Sequence, residues 1–165
     1  MAYRTDFDLK NHEKFSGEKL KYKDPETGEE FTPHVIEPTW EVDRSLLVVL
    51  LDAYHEEEGR TVLKLKPYLA PYKAAVFPLL ANKPELTKLA KSIYDDLRKT
   101  FMVSWDDRGN IGKRYYAQDE IGTPHCITVD FDSLKDDSVT VRDRDTAKQK
   151  RIPIKELRAH IEAGL

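Results

Sequence analysis

A short polar segment in the C-terminal hundred residues carries the side chains best suited to chemistry in this chain. Between Gly109-Asn110 and Gly122-Thr123-Pro124 it holds Lys113, Arg114, Tyr115, Tyr116, Gln118, Asp119 and Glu120. Cations bind phosphate, tyrosine rings stack on unpaired bases, and amides and carboxylates bond to base edges, so this mixture suits a single-stranded nucleic acid. A solvated helix between two strands is an equally good interpretation of the same residue types.

Two apolar runs must position this segment. Residues 101–105 and 125–131 are rich in β-branched and aromatic side chains, which predicts a buried strand on each side. Gly109 and Asn110 predict a turn after the first strand, and Gly122 with Thr123-Pro124 ends the short helix between them. In such a βαβ unit, polar side chains lie at the strand ends, where α/β folds bind their ligands.

A second pair of cations lies further along the chain, in residues 138–145, which alternate apolar with polar side chains. Arg142 and Arg144 alternate with Asp143 and Asp145, which is consistent with a self-neutralising charge ladder on an exposed strand. Alternatively, the two guanidinium groups point to one face of the strand and bind bases or phosphate as planar forks.

The remaining pattern of the C-terminal part predicts an α/β fold. A strand over 73–80 precedes a helix over 82–99, whose apolar residues repeat at helical spacing. After the central unit come the strand 138–145, its hairpin partner 148–154 and a closing helix over 155–163. The result is a mixed sheet of about five strands covered by about three helices.

The N-terminal part is predicted to be an appendage of hairpin plus helix. Residues 3–9 alternate like a strand, residues 21–31 suggest a hairpin, and an apolar stripe predicts a helix that runs to about Glu57. Residues 1–65 contain 9 Lys and Arg against 15 Asp and Glu, whereas the rest contains 18 against 15. A connector that contains Pro67 and Pro71 lies where the net charge changes from negative to positive. We therefore place the domain boundary between residues 1–63 and 64–165.

Several classes of site and location are disfavoured. The five histidines are scattered without metal-ligand spacing, so no metal site is expected, and no glycine-rich phosphate loop is present. Cys126, the single cysteine, is interpreted as a small core residue and indicates a reducing, cytoplasmic setting. No apolar run approaches the roughly 20 residues of a membrane span, so no membrane partner is expected.

Seven stretches, in order along the chain, resemble the C-terminal part of homodimeric, class II glycyl-tRNA synthetases. They are Arg-Thr-Asp-Phe-Asp-Leu (4–9), Pro-His-Val-Ile-Glu-Pro (33–38), Leu-Ala-Pro-Tyr-Lys-Ala-Ala-Val-Phe-Pro-Leu (69–79), Gly-Asn-Ile-Gly-Lys-Arg-Tyr (109–115), Gln-Asp-Glu-Ile-Gly-Thr-Pro (118–124), Val-Asp-Phe-Asp-Ser-Leu (129–134) and Thr-Val-Arg-Asp-Arg-Asp (140–145). The resemblance implies a class IIa anticodon-binding domain from about residue 68, with the end of the catalytic domain before it.

The resemblance also implies roles for residues of motif 3, the last conserved segment of class II catalytic domains. Glu37 and Thr39 match residues that contact glycine, and Arg44 matches an arginine that contacts ATP. Two departures stand out, because Thr39 replaces serine and Glu41 stands where the family usually has glycine. A carboxylate at position 41 would repel ATP.

The implied function is binding of the anticodon loop of a glycine tRNA, in support of ATP-dependent attachment of glycine. The tRNA ligands would be Lys113, Arg114, Tyr115, Gln118, Asp119, Glu120, Arg142 and Arg144; no DNA partner is expected. Motifs 1 and 2 are absent from residues 1–165, so we expect no aminoacylation by these residues alone, with ATP and Mg²⁺ needed by the whole synthetase. The alternatives are a noncatalytic accessory or protein-interaction module, and an active synthetase whose missing catalytic half comes from another chain. The expected protein partner is that missing half or a second copy of this chain.

Overall fold

The computed structural model describes all residues from 1 to 165. They form two compact units, Met1–Leu46 and Leu47–Leu165, and the division falls inside a helix, Val42–Ala53. The second unit therefore begins before the boundary predicted at 63/64 and takes in a segment that the prediction assigned to the first domain. The assignment of residues 1–63 to a catalytic domain stays a prediction.

The first unit is built from short pairings of exposed strands. Its elements are β1 (Ala2–Thr5), α1 (Phe7–Ser16), β2 (Tyr22–Lys23), β3 (Glu30–Phe31), β4 (Val35–Glu37) and the start of α2 (Val42–Ala53). β1 pairs with β4 and β2 with β3, both antiparallel, so the hairpin predicted over 21–31 is present. The strand predicted over 3–9 is wrong beyond Thr5, because a helix begins at Phe7; Arg4 and Asp8 then bond across its first turn at 2.8 Å.

The second unit contains the five-stranded mixed sheet that the sequence predicts. Its elements are the end of α2, β5 (Tyr54–Glu57), β6 (Arg60–Leu63), β7 (Ala74–Pro78), α3 (Pro84–Leu97), β8 (Val103–Trp105), α4 (Ile111–Ile121), β9 (His125–Val129), α5 (Ser133–Asp136), β10 (Ser138–Asp143), β11 (Gln149–Pro153) and α6 (Leu157–Ala163). The sheet order is β11-β10-β9-β7-β8. The pairs β7–β8 and β7–β9 are parallel, and the pairs involving β10 are antiparallel.

Alternation along β7 divides the core between the two faces of this sheet. Ala74 and Val76 pack in the larger cluster, to which α3 and α6 contribute their buried faces. Ala75 and Phe77 point to the other face and pack with Cys126 against α4. This two-sided burial explains why β7 is a continuous apolar run in the sequence. Cys126 is a buried core residue, as the sequence predicts, and burial raises the pKa of its thiol to about 12.

A hairpin absent from the sequence prediction connects α2 to the sheet. The helix predicted to run to about Glu57 ends at Ala53, and β5 pairs with β6 antiparallel from there. At the base of the hairpin, a hydrogen bond from the Lys64 amide to the Ala53 carbonyl at 2.6 Å continues the pairing to the end of α2. We call residues 54–63 the connecting hairpin; its strand β6 packs against α4, where Val62 is fully buried.

Helix α2 exposes apolar side chains on several sides. Leu46, Leu47 and Leu51 are each more than half exposed, although the helix is strongly apolar overall. No helix in residues 1–165 has the length and apolar character needed to cross a membrane.

Candidate nucleic-acid interface

The ends of α4 are fixed by local sequence. The Asn110 side chain accepts a hydrogen bond from the Lys113 amide at 2.9 Å and caps the first turn, as asparagine favours. At the other end Gly122 adopts a left-handed conformation with φ of 80°. A Cβ at this position would lie 2.9 Å from the Leu63 carbonyl oxygen, so only glycine lets the connecting hairpin approach this closely.

The outer face of α4 presents to solvent two of the predicted RNA ligands, Lys113 and Glu120, and a neighbouring residue, Tyr116. Lys113, Tyr116 and Glu120 are exposed, and their side chains make no hydrogen bond or ion pair within the chain. Tyr116 is 47% exposed, and it lies one turn before Glu120, so a ring and a carboxylate share one surface. This face combines one cation, one stacking ring and one acceptor.

Arg114 lies on the opposite face and is almost fully buried. Its guanidinium donates to four main-chain carbonyls, those of Pro78, Asp107, Arg108 and Gly109, at 2.6–3.2 Å. All three guanidinium nitrogens are therefore occupied. The side chain ties the loop before α4 to the end of β7.

Gln118 and Tyr115 also face the sheet. The Gln118 amide donates to Ser104 at 3.3 Å and accepts from the Thr123 hydroxyl at 2.7 Å. The half-buried Tyr115 shares a hydrogen bond of 2.7 Å with the Thr128 hydroxyl, and burial raises the pKa of its phenol.

Asp119 is the centre of a buried charge cluster. Its carboxylate accepts two hydrogen bonds from the Arg142 guanidinium, at 2.8 and 2.9 Å, and one from Arg60 at 3.1 Å. The Arg142 guanidinium lies 5.0 Å from the centre of the Tyr115 ring. Burial acts to lower the pKa of Arg142, but the hydrogen bonds and charge of Asp119 outweigh it, so the pKa is raised and the side chain stays charged.

Arg144 lies just beyond the end of β10 and is 2% exposed. It donates to the Gly122 carbonyl at 2.8 Å and forms a two-point pair with the Asp145 carboxylate, at 2.8 and 3.0 Å. The charge-ladder interpretation is therefore partly right, because Arg144 pairs with its sequence neighbour, but both arginines are buried rather than on an exposed strand.

The structure thus divides the predicted ligands into two groups. Lys113 and Glu120 are exposed with free charges, and Tyr115 is half-buried against Thr128. The charged and amide groups of the other five, Arg114, Gln118, Asp119, Arg142 and Arg144, are bonded inside the protein. Of the four predicted cationic ligands, Lys113, Arg114, Arg142 and Arg144, only Lys113 reaches solvent. Direct RNA contact by the buried residues stays a prediction, and it would require their internal bonds to open.

Arg60 is the residue that sequence reasoning missed. It lies on the connecting hairpin, and it donates to Asp119, to the Arg144 carbonyl at 2.9 Å and to Glu57 at 2.8 Å. Burial acts to lower the pKa of Arg60, but its hydrogen bonds to Glu57 and Asp119 outweigh this effect, so the pKa is raised. Its partner Asp119 is 59 residues away in sequence, so no local spacing signals the pair.

The residues that match motif 3 lie in the first unit. Glu37 ends β4, with its carboxylate 3.9 Å from the Arg4 guanidinium, and it lines a surface cavity of 460 Å³. Thr39 is exposed in the following loop. Arg44 is 81% exposed on the first turn of α2, where it pairs with Glu41 at 3.0 Å. Glu41, the residue that departs from the family pattern, is thus paired with Arg44, the arginine predicted to contact ATP. Neither Thr39 nor Arg44 lines the cavity beside Glu37.

Metal-binding geometry is not formed in residues 1–165. No three side chains of His, Cys, Asp or Glu come together at ligand spacing. The carboxylates of the interface are instead engaged with arginines or exposed singly.

The family follows from a comparison with known protein families. The model described as "Anticodon binding domain" matches residues 73–163. The chain belongs to the anticodon-binding domain family. The matched segment contains the whole five-stranded sheet with α3, α4 and α6, and it excludes the connecting hairpin.

Curated relatives extend the similarity beyond the anticodon-binding domain to the N-terminal part of the chain. The chain is 52% identical over 166 residues to a glycine–tRNA ligase of Bacillus anthracis, in a match that covers 98% of this chain and 36% of the relative. It is 54% identical over 167 residues to the glycine–tRNA ligase of Geobacillus kaustophilus (strain HTA426), with the same coverage. The chain therefore spans about a third of the length of these curated relatives.

A solved structure supports the fold of the anticodon-binding domain. The RNA binding domain of threonyl-tRNA synthetase from Cryptosporidium parvum Iowa II superposes with a TM-score of 0.54 and 25% sequence identity. The match covers 61% of this chain and 25% of that chain. The mixed α/β architecture is thus shared with the RNA binding domain of a threonyl-tRNA synthetase.

Proposed function

We propose that this chain is the C-terminal portion of a glycyl-tRNA synthetase and binds the anticodon loop of a glycine tRNA. The observation that carries the proposal is the match of residues 73–163 to the anticodon-binding domain family within a chain that is similar throughout to glycine–tRNA ligases. Binding would support the attachment of glycine to tRNA by the whole synthetase. The compartment that we propose is the cytoplasm, where a single buried cysteine stays reduced.

The exposed face of α4 supports this proposal. Lys113 offers a cation to backbone phosphate, Tyr116 a ring for stacking, and Glu120 an acceptor for base donors. On its buried side this helix is held by Arg114, which donates to the Pro78 carbonyl, and by Asp119, which accepts from Arg142. A rigid support of this kind reduces the entropy cost of binding.

We propose a positioning role for the buried residues of the predicted site. Arg142 and Asp119 join β10 to α4, and Arg144 joins the end of β10 to the end of α4 at Gly122. Their loss would alter RNA binding by moving α4 rather than by removing a contact. This differs from the direct contacts that the sequence suggests.

For the motif 3 residues we propose a part in the reaction of the whole synthetase. Glu37 offers a carboxylate, held only by a long 3.9 Å pair with Arg4, to the ammonium group of glycine beside an open cavity. Arg44 would have to leave Glu41 to reach ATP. Mg²⁺ would be held elsewhere, with the ATP phosphates. By themselves, residues 1–165 are proposed not to aminoacylate.

Binding of anticodon stem-loops tests the proposed function. Glycine codons begin with two guanines, so the second and third anticodon bases of every glycine tRNA are cytosines. The chain should bind a stem-loop with these two cytosines more tightly than loops in which either is changed, at equal salt. Equal affinity for all the loops would contradict anticodon reading.

A second candidate function, a protein-interaction module, is favoured by α2. Its exposed leucines form an apolar surface of the kind that marks protein contacts. The occupant that we propose is the remainder of a synthetase catalytic domain, because the matched part is only 36% of the length of a curated relative. Gel filtration of the chain mixed with the remainder of a synthetase catalytic domain, with and without tRNA, separates the two functions. A complex that forms without RNA, from a chain that fails to bind the stem-loop, favours the module.

A further inference from the structure

A small cleft lies between the turn of the connecting hairpin and the exposed face of α4. It is open to solvent, with a volume of 340 Å³, close to the lower end of the range for ligand sites. Its lining consists of Glu56, Glu57, Gly59, Arg60, Thr61, Tyr116 and Glu120. We call it the hairpin cleft. All of these residues belong to the second unit.

Only part of this lining is available to a ligand. Glu56 accepts a hydrogen bond from the Tyr54 hydroxyl at 2.7 Å, and Glu57 is paired with Arg60 and with Lys64 at 2.6 and 2.7 Å. Glu57 is thus neutralised by its two cations, whereas Glu56 has a hydrogen-bond partner but keeps its negative charge.

The two side chains that α4 contributes to the cleft are both free. Tyr116 and Glu120 are exposed, are separated by one helical turn, and make no bond through their side chains. One supplies a flat aromatic face and the other a hydrogen-bond acceptor beside it. A flat ligand with donor groups on its edge satisfies both at once.

The cleft is preformed rather than assembled by the ligand. Arg60 fastens the hairpin to α4 through Asp119 at 3.1 Å and to the turn after β10 through the Arg144 carbonyl at 2.9 Å. The close approach of Gly122 to the Leu63 carbonyl brings the two walls together at the base. The walls therefore keep their spacing without RNA, which favours recognition of a single rigid group.

We infer that the hairpin cleft receives one unpaired nucleobase that carries an exocyclic amino group, which in the glycine anticodon is a cytosine. Tyr116 would stack on the base, and Glu120 would accept a hydrogen bond from the amino group, the pairing by which acidic side chains select cytosine. Uracil presents a carbonyl oxygen at that position, and a carboxylate rejects it. The inference rests on the proposed function and adds the connecting hairpin, outside the family match, to the RNA-binding surface.

The test uses the chain of residues 1–165 and four variants. Tyr116→Ala and Glu120→Gln change the cleft, while Tyr68→Ala and Glu162→Gln change an exposed tyrosine and an exposed glutamate elsewhere. Fluorescence anisotropy measures the Kd for the glycine anticodon stem-loop and for loops with cytosine changed to uracil at the second or the third anticodon position. All four substitutions are at exposed positions, so the fold is retained.

The variants separate stacking from base selection. Tyr116→Ala should weaken binding of all the loops by at least about fivefold, the lower end of the range for loss of one stacked base. Glu120→Gln should reduce the preference for cytosine over uracil at one position by about tenfold, because an amide both accepts and donates. The two control variants should bind like the unmodified chain.

The outcomes distinguish the cleft from the proposed function. If the unmodified chain prefers the glycine loop but Glu120→Gln keeps that preference at both positions, the cleft does not select the base and the inference is overturned. An unchanged Kd for Tyr116→Ala overturns it as well. If the unmodified chain binds all the loops equally, anticodon reading itself fails, and the inference fails with it.

Discussion

Asp119 on α4 and Arg142 on β10 form a two-point ion pair inside the protein, with distances of 2.8 and 2.9 Å between oxygen and nitrogen. Asp119 is fully buried, and the Arg142 side chain is 6% exposed. Since Arg60 donates to the same carboxylate, one negative charge is shared by two arginines from different elements. Removing one member of a buried pair leaves an uncompensated charge, so such pairs respond strongly to single substitutions.

Replacement of this carboxylate by its amide should destabilise the second unit. Asp119→Asn keeps the size of the side chain but leaves Arg142 without a charged partner and Arg60 with Glu57 alone. Loss of one partner in a buried pair costs about 3–5 kcal/mol. Urea unfolding measures the change in the free energy of unfolding. Asp95→Asn, in an exposed pair with Lys91, is the control and should change little. A loss for Asp119→Asn no larger than that of the control would contradict a buried, paired carboxylate.

Gly122→Ala should destabilise the chain more than the same substitution at Gly109. Both glycines have positive φ, 80° and 65°, where alanine is strained by about 1–2 kcal/mol. Only at position 122 does the added methyl also meet a main-chain oxygen, that of Leu63, at 2.9 Å. Thermal unfolding of the two variants compares strain alone with strain plus clash. Equal losses would show that the connecting hairpin does not press on α4.

The sheet and its helices could be predicted because their signals are local. The apolar run of β7 and the helical spacing of α3 each report burial on a known face, and Asn110 and Gly122 mark the ends of α4. The structure confirms these elements and the five-stranded mixed sheet.

The connecting hairpin and the burial of the arginines could not be predicted in the same way. The apolar stripe of α2 runs without interruption into Tyr54, and what ends the helix is the tertiary packing of Val62 and Arg60 on α4. Arg142 likewise looks like a surface residue in sequence, because its partner Asp119 comes from another element. Charged residues in an alternating strand are usually solvated, and only the three-dimensional pairing shows otherwise.

His125 should make the chain less stable in mild acid. It is 8% exposed, neither ring nitrogen has a hydrogen-bond partner, and burial followed by the nearby His160 lowers its pKa. In the unfolded chain the ring has the ordinary pKa of about 6.5, so below that pH the unfolded state binds a proton that the folded state excludes. The free energy of unfolding should therefore fall as the pH decreases below about 6.5, well above the range in which carboxylates are protonated.

The contribution of His125 can be isolated by substitution. His125→Leu removes the titrating ring and its unpaired nitrogens, so the difference in stability between about pH 7 and about pH 5 should become smaller. Urea unfolding at the two pH values measures it, and His12→Gln, at an exposed position, is the control. Asp143, Arg144 and Asp145 also act on the ring, but only the first and last favour its charged form. An unchanged pH dependence in His125→Leu would assign the acid sensitivity to other groups.

Lys113 should contribute to RNA affinity without contributing to base selection. It is the one cation of the predicted four that reaches solvent, and it lies on the face of α4 that carries Tyr116. A phosphate contact carries no sequence information, so Lys113→Ala should weaken all the anticodon stem-loops by a similar factor. It should also reduce the slope of log K against log salt by about 0.7, the value for one phosphate of a single strand. Lys88→Ala, an exposed cation on α3 at the opposite face of the sheet, is the matched control. A change in the ratio of affinities between loops, or an equal loss for Lys88→Ala, would remove Lys113 from the phosphate-binding surface.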